Sequence, residues 1–124
     1  MALRGQQFGD LGMTEPTKRL KRLLREYCSR AHEEELRRAL DDLASDFDAW
    51  KAGKISGDEL SDRIHRFHDG ASREIFKTYN TRPIEPTLAR AIAEGILDRS
   101  QVPTELLEYL AGSIAFYEAG AVRS

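Results

Sequence analysis

TEPTKRLKRLLREYCSRAHEEELRRALDDLASDFDAWKAG, residues 14–53, decides the fold. Apart from Pro16 it holds neither proline nor glycine until Gly53, and a first helical turn tolerates a proline. With Thr14 as N-cap, the stretch predicts one helix of about 37 residues, roughly 55 Å long. Its apolar residues recur at spacings of three and four, but in two separate rows. Leu20, Leu23, Leu24, Tyr27 and Ala31 form the first; Leu36, Leu40, Leu43, Phe47 and Trp50 form the second. At about 100° per residue, the rows lie more than a third of a turn apart. Nothing in residues 29–35 is a strong helix breaker, so the expectation is an unbroken helix whose halves face different neighbours.

The segments that follow are also helical in pattern. In KAGKISGDEL, residues 51–60, Gly53 can end the first helix at positive φ. Ser56 and Glu59 have capping-box spacing, with Ile55 and Leu60 placed as a hydrophobic staple. A second helix is expected over residues 57–79, with Leu60, Ile64, Phe67, Ala71, Ile75 and Tyr79 as its apolar row. Gly70 inside it costs up to about 1 kcal/mol against Ala and marks a close crossing or a break. Third and fourth helices are expected over 86–97 and 103–118, with Gly120 closing the last. Residues 1–13, with three glycines and no periodicity, read as a flexible leader, Met13 being a possible true start; residues 121–124 read as a tail. The fold class is therefore all-α, with four principal helices, a long first helix and a bundle formed by one domain over 14–120.

Composition narrows the function classes. The chain has 124 residues, 40% hydrophobic and 32% charged, and a net charge of −2, so it is no polycation. No run approaches a membrane span, and no secretory signal is visible. The single cysteine, Cys28, cannot form an internal disulfide and fits a reducing, cytoplasmic location. No motif calls for a cofactor.

Several stretches imitate functional motifs. Asp48–Glu59 has the glycine and the final glutamate of a calcium loop, but Trp50 and Ala52 stand where side-chain oxygens are needed. LARAIAEGILDRSQVPTELLEYL, residues 88–110, suggests a DNA-reading helix-turn-helix, but Pro103 would fall inside the reading helix, so a plain helical hairpin is preferred. RIHRFHDGASRE, residues 63–74, is the main enzyme candidate. Asp62, His65 and His68 follow at i, i+3 and i+6, with Asp69 beside them, the residue types for a transition metal or a tuned general base. The competing reading is a histidine at the core edge and another in a surface ion pair, and no metal site is expected. Cys28 and His32, at i and i+4, read as a small buried thiol beside an imidazole rather than a nucleophilic pair.

WKAGKISGDELSDRIHRFHDGASREIFKTYN, residues 50–80, with ARAIAEGIL, residues 89–97, resembles small uncharacterised bacterial proteins sharing an Ile-His-x-Phe-His-x-Gly core. The resemblance spans about residues 18–118, and no activity comes with it.

Charge is unevenly spread. Residues 1–30 carry seven Lys/Arg against three acids, and residues 31–62 four against ten. Lys18, Arg19, Lys21, Arg22 and Arg25 crowd a helix start, where the macrodipole disfavours cations. Antiparallel pairing of two long helices would set basic ends against acidic ones and bury the first apolar row. The expected function is therefore a small interaction or regulatory module acting as a homodimer. Its contact surface would be Lys18, Leu20, Lys21, Arg22, Leu23, Leu24, Arg25 and Tyr27. The rival arrangement has the chain's own fourth helix covering that row. An unidentified protein partner is a further expectation, and no membrane is expected. An enzyme using Asp62, His65 and His68 is one alternative. Weak, salt-sensitive nucleic-acid binding through the five cations is the other.

Overall fold

The computed structural model describes residues 16–123, the last three by backbone alone. The leader, the Met13 start and the Thr14 cap lie outside the described residues. Those residues form α1 (Lys18–Lys51), α2 (Gly57–Phe67), a π-helical turn (His68–Ser72), α3 (Arg73–Thr81), α4 (Ile84–Ala93), a 3₁₀ turn (Arg99–Gln101), α5 (Thr104–Tyr109) and α6 (Ala111–Arg123). Among them there is no strand, so the fold is all-α with a long first helix.

α1 is unbroken. Its N-cap is Thr17, whose hydroxyl accepts from the Leu20 N–H at 3.0 Å, so Pro16 precedes the helix rather than opening it. It ends where Gly53 takes φ +77° and lets the Lys54 and Gly53 N–H groups reach back to the Ala49 and Trp50 carbonyls. α4 ends by the same device: Gly95 also has φ +77°, and Ile96 and Gly95 donate to Ala91 and Ile92. That closure stops α4 four residues before the expected end at 97. Gly120, by contrast, does not close the last helix, which runs on to Arg123; positive-φ glycines among the described residues are only Gly53 and Gly95. The expected fourth helix is divided at Leu110 into α5 and α6, but Leu106, Leu110 and Ile114 keep one buried line through the joint.

The second helix is also interrupted. The π turn around Gly70 inserts an extra residue, which sets the following segment back by about 100°. Ile75 is thereby buried and Tyr79 half-buried, in line with buried Leu60 and half-buried Phe67. Ile64 and Ala71, expected in the same row, are exposed.

The core gathers around the first half of α1. Leu23, Leu24 and Tyr27 pack with Leu88, Ala89 and Ile92 of α4, with Val102, and with Leu106, Leu110 and Ile114. This corrects the expected contact surface: Leu23, Leu24 and Tyr27 are buried, and Leu20 packs against them, because the chain's own C-terminal helices cover that row. The second half of α1 lies against α2 and α3 as an antiparallel hairpin, whose buried Leu60 and Ile75 stand outside the main core. Glu35, near the middle of α1, ties the regions together by accepting from Tyr79 of α3 and from Arg90 of α4, the latter at 3.0 Å.

Candidate functional site

The hairpin has two unlike sides. On one, Arg63 of α2 bonds Asp46 of α1 at 2.7 Å and Glu59 at 2.8 Å, and Arg66 joins Glu59. The other side follows from helical phase. At about 100° per residue, Leu40 and Phe47 turn to the flank of α1 opposite the Asp46–Arg63 pair, and on the antiparallel α2 Ile64 and His68 turn the same way. Past the π turn, Phe76 joins them. The C-terminal helices cover the other side of α1, where Leu24 and Tyr27 point.

This face exposes apolar side chains: Leu40 is 46% exposed, Phe47 38%, Ile64 38% and Phe76 61%, while Trp50, 44% exposed, falls by the same phase nearer the seam with α2. Trp50 lies at the hairpin's end, its indole nitrogen 4.0 Å from where a Cβ on Gly57 would stand. Two shallow grooves run along the α2–α3 part. Ile64, His65, His68 and Asp69 line one of about 400 Å³; His68, Asp69, Ser72, Arg73 and Phe76 line the other.

The enzyme candidate comes together there only in part. Among the described residues no three His, Cys, Asp or Glu side chains are grouped to hold a metal. Asp62 is engaged by Arg66 at 3.1 Å instead of meeting His65 and His68. The two histidines share a groove lining with Asp69, but no hydrogen bond joins either to a carboxylate among the described residues. The imitated calcium loop is an ordinary turn between helices: the Ser56 hydroxyl caps the Glu59 N–H at 3.1 Å, and the Glu59 carboxylate is taken by arginines.

The remaining expected residues are placed separately. Lys18, Lys21 and Arg22 are exposed, while Arg19 pairs with Glu105 of α5 at 2.8 Å. Acids further along α1 are also engaged within the chain. Arg37 and Arg38 both bond Glu34, holding its carboxyl well below the usual range at about 2. The charge division that suggested antiparallel pairing of long helices is therefore partly answered internally. Cys28 is buried, and burial pushes its thiol up, which disfavours the reactive thiolate. His32 stacks on Tyr79 with ring centroids 4.9 Å apart.

No family model, curated protein or solved structure matches the chain. Among the described residues no helix is long and apolar enough to cross a membrane.

Proposed function

We propose that the protein is a small helical interaction module that works as a homodimer, joined through the apolar face of the hairpin. One observation carries this reading: Leu40, Phe47 and Ile64 turn to one side of two antiparallel helices, and each is more than a third exposed in the described chain. Contiguous exposed apolar surface of this kind usually marks an interface.

The spacing says what fits. Leu36, Leu40, Leu43, Phe47 and Trp50 step by four, three, four and three, the a/d repeat that packs one helix on another. Leu36 and Leu43 are half-buried, whereas the alternate Leu40 and Phe47 are exposed toward a further helix.

Charge favours a second copy as the occupant. Residues 36–81 carry eight Lys/Arg against nine Asp/Glu, so like hairpins meet with little net repulsion. A two-fold axis running along the hairpin lays each α1 antiparallel on the other copy's α2–α3, giving a four-helix arrangement. Asp46 stands opposite Arg63, and five residues toward the turn on each helix stand Lys51 and Asp58. Neither has an ion-pair partner among the described residues, and the two-fold brings each near its opposite on the other copy. Burying Phe47, Leu40 and Ile64 contributes about 1.5–3 kcal/mol apiece before association costs.

Light scattering and sedimentation of the full chain test this. The expected result is a dimer at micromolar concentration, and a folded monomer for Phe47→Glu with Ile64→Glu. A wild-type chain still monomeric at high micromolar concentration, or a double variant that stays dimeric, overturns it.

A further inference from the structure

We infer that the cleft where the hairpin meets the C-terminal helices binds a small soluble phosphate-type anion, inorganic phosphate or a compact phosphomonoester. The cleft holds about 260 Å³. That lies just under the roughly 300–1,000 Å³ of common ligand pockets, so its occupant is small. α1 supplies Arg25, Cys28, Ser29 and His32, α3 supplies Tyr79, the connecting turn supplies Arg82, and α4 supplies Ile84 and Thr87.

Three independent features make the lining an anion site. The first is its charge. Arg25 and Arg82 reach the same cleft, no carboxylate lines it, and neither guanidinium has an acidic partner among the described residues. Most other described arginines are supplied: Arg19, Arg30, Arg63, Arg66, Arg90 and Arg99 all pair with carboxylates, whereas the unpaired Arg22 and Arg73 stand apart on exposed surface. The nearby Glu35 is occupied by Tyr79 and Arg90. Two unpaired guanidiniums at one concavity offer the planar donors that suit phosphate oxygens.

The second feature is an unsatisfied hydroxyl. Thr87 is only 5% exposed, and its side chain has no hydrogen-bond partner among the described residues, although buried polar groups are normally paired. A ligand oxygen in the cleft would accept from it, and Ser29 offers a second hydroxyl. The third feature is the start of α4. Pro83 gives the helix no side-chain cap, so the first-turn N–H groups at Ile84 and Glu85 lack an intrahelical partner, and Ile84 lines the cleft. The first-turn carboxylate, Glu85, is engaged by the Tyr109 hydroxyl at 2.7 Å.

Titration of the ¹⁵N-labelled full chain with inorganic phosphate, at constant ionic strength against chloride, tests the assignment. Saturable amide shifts are expected at Ser29, His32, Ile84 and Thr87. Arg25→Gln with Arg82→Gln should weaken binding by at least about tenfold. Arg22→Gln with Arg73→Gln, which removes two exposed arginines outside the cleft, should leave it unchanged. Thr87→Val keeps the shape and every charge, and should weaken binding several-fold even if the arginine double variant folds poorly. A parallel arm with vesicles of phosphatidic acid in phosphatidylcholine should give no co-sedimentation, since the cleft is small and takes free phosphate. Absence of saturable shifts at millimolar phosphate overturns the proposal. So does equal weakening by the two arginine pairs, or binding to the vesicles alone.

Discussion

Leu24 and Phe47 sit on the same helix, each in an apolar row of three- and four-residue spacing, yet Leu24 is 3% exposed and Phe47 38%. The difference lies in what each half of α1 meets. The first half meets apolar side chains from α4, α5, α6 and the segment at Val102, enough to enclose its row. The second half meets one antiparallel partner, α2–α3, and two helices side by side bury only the seam between them. Apolar residues off the seam need a further layer, and the described chain supplies none on that side. Periodicity thus states that a helix face will be buried, but the number of surrounding helices decides whether the same chain can bury it.

The largest effect should separate the two halves directly. Leu24→Glu places a charge in the enclosed core and should cost about 4 kcal/mol or more, enough to unfold a chain of marginal stability. Phe47→Glu, measured where the protein is monomeric, should change stability by no more than about 0.5 kcal/mol. Urea denaturation followed by far-ultraviolet circular dichroism measures both, and similar losses for the two would break the distinction.

A smaller effect concerns a device the regions share. Gly53→Ala and Gly95→Ala each put a side chain at φ +77° where space is otherwise open, so the cost is backbone strain alone. Each should lose about 1 kcal/mol, seen as a lowered thermal midpoint. A much larger loss at Gly95 would show that the bundle's closure carries more than its local geometry.

How much of this was legible beforehand follows from the range of the interactions involved. The unbroken α1, the Gly53 stop and the Ser56 cap depend on neighbours within a few residues, and those neighbours are in the sequence. The two differently aimed rows were legible for the same reason. Which row would be covered was not, because it depends on where α4–α6 pack, and that is set by contacts more than fifty residues away in the chain. The π turn at Gly70 was visible only as an oddly placed glycine; its rotation of the segment that follows, which buries Ile75 in line with Leu60, is a tertiary accommodation. The anion cleft was the least legible. Arg25 read as one cation among five, and nothing near it in sequence announces Arg82 or Thr87.

The smallest effect tests the joint between the regions. Burial, helped by the bond to Glu35, pushes the Tyr79 hydroxyl above its ordinary value of 10.0. The folded state therefore holds this proton more tightly than the unfolded chain, so the associated stability is fully present below pH 10 and is lost as pH rises beyond it. Burial and Glu85 push Tyr109, in the bundle, up to about 12 with the same sign. Denaturation midpoints recorded from pH 8 upward should decline above pH 10, and Tyr79→Phe should flatten part of that decline. An unchanged profile in Tyr79→Phe would mean that the Glu35 joint contributes nothing there.

The most direct test of the central claim uses the protein's single tryptophan, Trp50, which lies at the end of the hairpin that carries the exposed face and is 44% exposed. Its emission and acrylamide quenching, recorded across a dilution series alongside the sedimentation mass, report whether that face becomes covered. If the hairpin joins two copies, emission should move to shorter wavelength and quenching should fall as the mass doubles, and Phe47→Glu with Ile64→Glu should abolish all three changes together. A mass that doubles while Trp50 emission and quenching stay as they are at high dilution would contradict the assignment of this face.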